Sequence, residues 1–130
     1  MKLARAGLVL AALVFFTFGM GFLLVPVQWA EAVDIALPTA LARTDFRATY
    51  GGLEIGVGLF LALCAARAEW VRPGLVAMML AAGGFGAGRL AGIVVERTAG
   101  PLMLGFVLLE WAIVGVTLFV LRRLDQTTAS

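Results

Sequence analysis

Four stretches of this 130-residue chain leave little choice of fold: residues 6–25, 50–66, 74–95 and 101–121 are long, apolar and almost uncharged. A helix of about 20 apolar residues crosses a hydrocarbon core of about 30 Å, and each stretch approaches or exceeds that length. The strict alternation expected of a barrel strand is absent, so helices are the expectation. Composition agrees: 62% of residues are hydrophobic and 14% charged, where an ordinary soluble domain has about a quarter charged. The sequence therefore predicts an all-α integral membrane protein: a single domain over residues 1–130, folded as a four-helix up-and-down transmembrane bundle.

Lys2 and Arg5 precede the first apolar run in the manner of a signal peptide. That run is near 20 residues, however, where a cleaved signal uses about 7 to 15. Gln28-Trp29-Ala30 also places a large residue where a cleavage site wants a small one. The segment is read as a retained helix.

Orientation follows from the arginines and lysines of the short loops. Lys2, Arg5, Arg67, Arg72, Arg122 and Arg123 fall on one side, and Arg43, Arg47 and Arg97 on the other. Six against three places both termini in the cytoplasm. The same residues form no basic patch interleaved with aromatics, so nucleic acid is not an expected partner. Histidine is absent and Cys64 is the only cysteine. No disulfide, no paired-cysteine motif and no histidine-based haem or metal site can be built within one chain, so no metal and no cofactor is expected.

The connections between helices 2 and 3 and between 3 and 4 are short, so consecutive helices should be antiparallel neighbours. The first connection, residues 26–49, is too long for a plain turn and too apolar to float free. Over residues 27–37, Trp29, Val33, Ala36 and Leu37 fall near one helical face, and Glu31 and Asp34 towards another. The pattern predicts an interfacial helix in this outer loop, ended by Pro38. It serves either as a packed cap over the bundle or as a gate.

Small residues mark where membrane helices approach. Gly84, Gly88 and Gly92 make two consecutive GxxxG steps, and Gly52 with Gly56 makes one. The expectation is a close crossing of the second and third spans.

Three ionisable residues lie inside the predicted spans: Glu54, Arg89 and Glu110. A charge at the membrane centre costs about 2.5 to 3.5 kcal/mol on insertion scales, so such groups face the protein interior and pair. Counting about 1.5 Å per residue places Glu54, Arg89 and Glu110 about 6, 9 and 14 Å below the outer boundary. Arg47 and Tyr50 precede Glu54 at helical steps and would share its face. The expected site is thus a cluster of Arg47, Tyr50, Glu54, Arg89 and Glu110 in the outer half. Guanidinium suits the position because its planar fork serves two carboxylates and stays charged in a low dielectric.

Arg47-Ala48-Thr49-Tyr50-Gly51-Gly52, then Gly88-Arg89-Leu90-Ala91-Gly92, then Glu110 in the last helix resemble a family of small bacterial four-helix membrane proteins known as a domain of unknown function. The likeness covers nearly the whole chain, and in general layout the family is similar to DoxX-like proteins. The resemblance implies a bacterial inner-membrane location and a four-helix bundle, and it implies no reaction.

The leading functional expectation is a multi-pass inner-membrane protein, not itself an enzyme, whose polar cluster binds a small polar or lipid-like ligand or supports transport. The first rival is a structural or accessory subunit that packs through glycine faces, as a homo-oligomer or within a larger membrane complex. The second is a membrane enzyme using a glutamate as acid or base on a lipophilic substrate such as a quinone.

Overall fold

The computed structural model describes residues 1–128. Its helices are α1 (Lys2–Leu24), α2 (Pro26–Glu31), α3 (Ala40–Phe46), α4 (Leu53–Ala66), α5 (Val71–Glu96) and α6 (Pro101–Thr128). A π-helical segment, Arg47–Gly52, joins α3 to α4, and a 3-10 turn, Ala68–Trp70, leads into α5. The chain thus has four helical spans long and apolar enough to cross a membrane, at Lys2–Leu24, Ala40–Ala66, Ala68–Glu96 and Pro101–Gln126. No strand occurs among the described residues.

The second span begins at Ala40, ten residues before the apolar run that announced it. Thr39 accounts for the early start: its side-chain oxygen accepts a hydrogen bond from the Ala42 N–H at 3.1 Å, satisfying one of the orphan donors of the first turn. In the first connection, Pro26 occupies the first turn of α2, where its missing N–H costs nothing. The expected helix over residues 27–37 is shorter than the periodicity suggested. It ends at Glu31, and Asp34 turns the chain with a left-handed φ of 62°. That turn lets Ile35 donate back to the Ala30 carbonyl at 2.9 Å. Ile35 and Leu37 then pack with Phe22, Ala30 and Phe46, and Trp29 lies across Gly21 and edge-on to Phe18 and Phe22. The connection is packed onto the end of the bundle.

The spans associate as two hairpin-like pairs, α1 with α4 and α5 with α6, while α6 scarcely meets α1 or α4. Backbones come closest in the first pair. A Cβ at Gly19 would stand 2.9 Å from the Gly51 carbonyl oxygen, and one at Gly58 would stand 3.0 Å from that of Ala12. The expected glycine crossing of the second and third spans does not form. A Cβ at Gly56, Gly84, Gly88 or Gly92 would meet nothing within 4 Å, and one at Gly52 only the Arg47 carbonyl at 3.8 Å. A GxxxG step fixes which glycines share a face, but the neighbour is chosen by the whole packing surface. The second span turns Gly51 and Gly58 to α1, and the third turns Gly86 to α6.

The two pairs join at the end of the bundle that carries the chain termini. There Ala4, Leu8, Ala12, Leu61, Cys64, Ala65, Val71, Leu75 and Leu121 form the main core. The Cys64 thiol, fully buried beside Gly74, is part of this packing. At the surface of the same end, Arg72 pairs with Asp125, and the Arg67 guanidinium lies over the Trp70 ring at 4.9 Å. Beyond Met79 on α5 and before Val120 on α6, no described residue joins that core. Towards the loop end, α5 and α6 are held chiefly by each other, and exposed leucines, valines and phenylalanines such as Leu90, Val94, Leu108 and Phe119 cover the outer surfaces of the spans. Hydrocarbon solvates such a surface at no cost, whereas a water-soluble monomer rarely exposes large apolar patches.

Candidate functional site

Of the five residues the sequence singled out, Arg89 and Glu110 meet. Arg89 Nη1 donates to Glu110 Oε1 across the α5–α6 interface. Gly86 makes the approach possible, since a Cβ there would stand 3.0 Å from Trp111 Nε1 and 3.4 Å from Glu110 Cβ. The pair is well shielded, with side chains 29% and 12% exposed. Two rings complete its walls: the Arg89 guanidinium lies 5.6 Å from the Phe85 centroid and 4.9 Å from that of Phe106. Phe85 and Phe106 each stand four residues before their charged neighbour, the spacing at which helical side chains touch. Such ring contacts contribute about 0.5–1 kcal/mol each when partly exposed.

The other three residues are elsewhere in the bonding pattern. Arg47 Nε donates to the Leu23 carbonyl at 3.0 Å, so its partner is an orphan carbonyl in the last turn of α1. Tyr50 stacks on Phe46 at 4.5 Å and stands edge-on to Phe22, which makes it part of the aromatic cap. Glu54 is half-buried and has no hydrogen bond or ion pair among the described residues. The π-helical segment explains this separation. Its i→i+5 bonding, seen in the Leu53 N–H reaching the Ala48 carbonyl, adds a residue to the turn. Arg47, which lies before the added residue, is thereby rotated out of the phase that would align it with Glu54, while Tyr50 faces α1 through its contact with Phe22.

Glu54 nevertheless shares a layer with the ion pair. Gly74 lies against Cys64, and Gly86 lies against Glu110. Glu54 is ten residues above Cys64 and Gly86 twelve above Gly74, so they stand about 15 and 18 Å above a common level at about 1.5 Å per residue. Glu54 also falls on the stripe of α4 that carries Val57, Leu61 and Ala65, the residues that enter the shared core. By this count Glu54, on the other hairpin, stands at a depth close to that of the ion pair.

Two buried polar atoms on α6 have no partner. Glu110 Oε2 is buried without a hydrogen bond, as is the hydroxyl of Thr117, a residue only 2% exposed. Thr117 lies seven residues after Glu110, on the same stripe of α6 as Val107 and Leu121. Sequence reasoning passed over it, although that two-turn spacing in an apolar span was a readable signal. Two shallow grooves, of about 440 and 210 Å3, lie elsewhere: one over Arg72, Pro73 and Leu80, the other between α1 and α4 at Val9, Phe16 and Gly58. Among the described residues no three His, Cys, Asp or Glu side chains gather as metal ligands.

No curated protein and no solved structure matches the chain, and nothing in these comparisons connects it to DoxX-like proteins. A family match spans residues 3–121, taking in all four apolar runs and the Arg89–Glu110 pair. The chain belongs to the family described as domain of unknown function DUF4345.

Proposed function

We propose that this multi-pass membrane protein is not itself an enzyme and holds a small polar or lipid-like ligand in the layer of Glu54, Arg89 and Glu110. The observation that carries the reading is the buried Oε2 of Glu110, an acceptor without a partner beside a charge pair within an apolar span. A buried polar group left unpaired costs about 1–3 kcal/mol, and charged groups inside a membrane mark binding sites or ion paths by default. In a bacterial inner membrane, the excess of Lys and Arg at the opposite end of the bundle supports an orientation with that end, and both termini, in the cytoplasm.

Native mass spectrometry of the protein released from its own membrane with lipids retained tests this. A bound mass held by the wild type and lost in Glu110→Gln is the expected result; equal retention by both, or none by either, refutes the site. One observation favours a second reading, an accessory subunit or homo-oligomer. The stripe of Gly84, Gly88 and Gly92 is open to a neighbour, and a partner chain lost in Gly88→Leu would be its signature in the same spectra.

A further inference from the structure

Of the two grooves on the outer surface, the one on α5 has a charged rim. It measures about 440 Å3 and is lined by Arg72, Pro73, Val76, Ala77 and Leu80. Arg72, Val76 and Leu80 follow at steps of four and so share one helical face. That face runs about 12 Å along the helix from the arginine to the leucine, at about 1.5 Å per residue. The groove between α1 and α4 is lined by apolar residues alone, among them Val9, Leu13 and Phe16. Any outward groove in a bilayer meets hydrocarbon tails, but only one with a fixed charge at its mouth can select a headgroup.

Trp70 sets the level of that charge. Its exposed indole lies under the Arg67 guanidinium, and a tryptophan beside arginine at the end of a span marks the boundary of membrane and water. Arg72 is the second residue of α5, so it stands at headgroup depth, with Val76 and Leu80 in hydrocarbon. Its bond to Asp125 engages Nη1 alone. Both side chains of that pair are more than half exposed, and the rest of the guanidinium fork is left for a phosphate, which arginine binds through two donors at once. The surrounding end is cationic, with Lys2, Arg5, Arg67, Arg72, Arg122 and Arg123 against Glu69 and Asp125. We propose that this groove seats an anionic glycerophospholipid, its phosphate on Arg72 and one acyl chain along Val76, Ala77 and Leu80. The seat is distinct from the layer of Arg89 and Glu110 and does not depend on it.

The test titrates the full chain in detergent with dioleoyl phosphatidylglycerol and, as the zwitterionic comparator, dioleoyl phosphatidylcholine. Native mass spectrometry reads the Kd of the first lipid bound. The expected result is a preference of about fivefold or more for phosphatidylglycerol, the effect of one well-placed cation on an anionic lipid. Arg72→Gln removes only surface contacts, so it folds, and it should abolish the preference. Ala77→Phe places a ring in the groove and should abolish it too. Arg122→Gln removes the same charge from the same end of the protein but outside the groove, and should keep it. No preference in the wild type, or a preference unchanged in Arg72→Gln, overturns the proposal. An equal loss in Arg122→Gln also overturns it, because the attraction would then belong to the whole cationic end. Retention in Ala77→Phe does the same, because the phosphate would then bind without a seat for the tail.

Discussion

Replacing Arg89 by leucine takes a guanidinium from Glu110 and from two aromatic rings in one step. With side chains 29% and 12% exposed, the pair stands between a surface ion pair, worth about 0.2–1 kcal/mol, and a fully buried one whose breaking costs about 3–5 kcal/mol. A value of about 2 kcal/mol for stranding Glu110 fits that position. The two ring contacts add about 1 kcal/mol, so Arg89→Leu is expected to lose about 3 kcal/mol. Glu110→Leu strands the guanidinium but leaves the rings, for a loss of about 2 kcal/mol. The double variant is then expected to lose only about 1 kcal/mol, the ring contacts, because neither charge is left stranded; the coupling is about 4 kcal/mol. Unfolding of the purified protein in mixed micelles, followed against denaturing detergent, measures all four corners of the cycle. Glu54→Gln is the internal control, since Glu54 makes no ion pair among the described residues and its coupling to Arg89 should be far smaller. A coupling below about 0.5 kcal/mol between Arg89 and Glu110, the level at which independent sites add, would refute the pair as an energetic unit.

The glycines give a sharp contrast in the same assay. Gly58→Ala should lose about 1–3 kcal/mol, the usual cost of overpacking, because its Cβ would stand 3.0 Å from the Ala12 carbonyl oxygen and 3.2 Å from the Phe16 nitrogen. Gly88→Ala should lose nothing and can gain up to about 1 kcal/mol from helix propensity, since its Cβ meets nothing within 4 Å; equal losses would overturn the assignment of faces. The orientation predicts that a cysteine at Gly100, in a background with Cys64 replaced, reacts with an impermeant thiol reagent in intact cells, and one at Ala68 does not. The reverse labelling pattern would invert the protein in the membrane.

The Arg89–Glu110 pair was legible because depth along a straight helix is a matter of counting: both residues lie at similar heights on neighbouring antiparallel spans. Glu54 makes no bond to either member of the pair among the described residues. Tyr50 was not legible because its partners, Phe22 and Phe46, are apolar rings rather than the charges the pattern suggested, and Arg47 was not, because counting by helical steps assumes α-helical phase throughout. The π-helical segment Arg47–Gly52 breaks that phase, and no residue in it announces the break. Arg47 was harder still, since its partner is the backbone oxygen of Leu23, which any sequence would offer.

The sequence by itself determined the number of spans and their all-helical character. Long apolar runs can satisfy their backbone hydrogen bonds in lipid only as helices or closed barrels, and these runs lack the alternation of a barrel. It also determined that an arginine in the third span must find a polar partner. Only the tertiary structure decided which glycines carry the crossings, because a GxxxG step defines a face but not the neighbour that covers it. Gly19, Gly51 and Gly58 became the contact of α1 with α4, and Gly84, Gly88 and Gly92 were left open. The structure likewise decided that Glu54 stands apart from Arg89. The hairpins meet through the core around Leu8, Leu61 and Leu75 and separate above it, and side-chain pairing across that gap depends on a distance that no local pattern encodes.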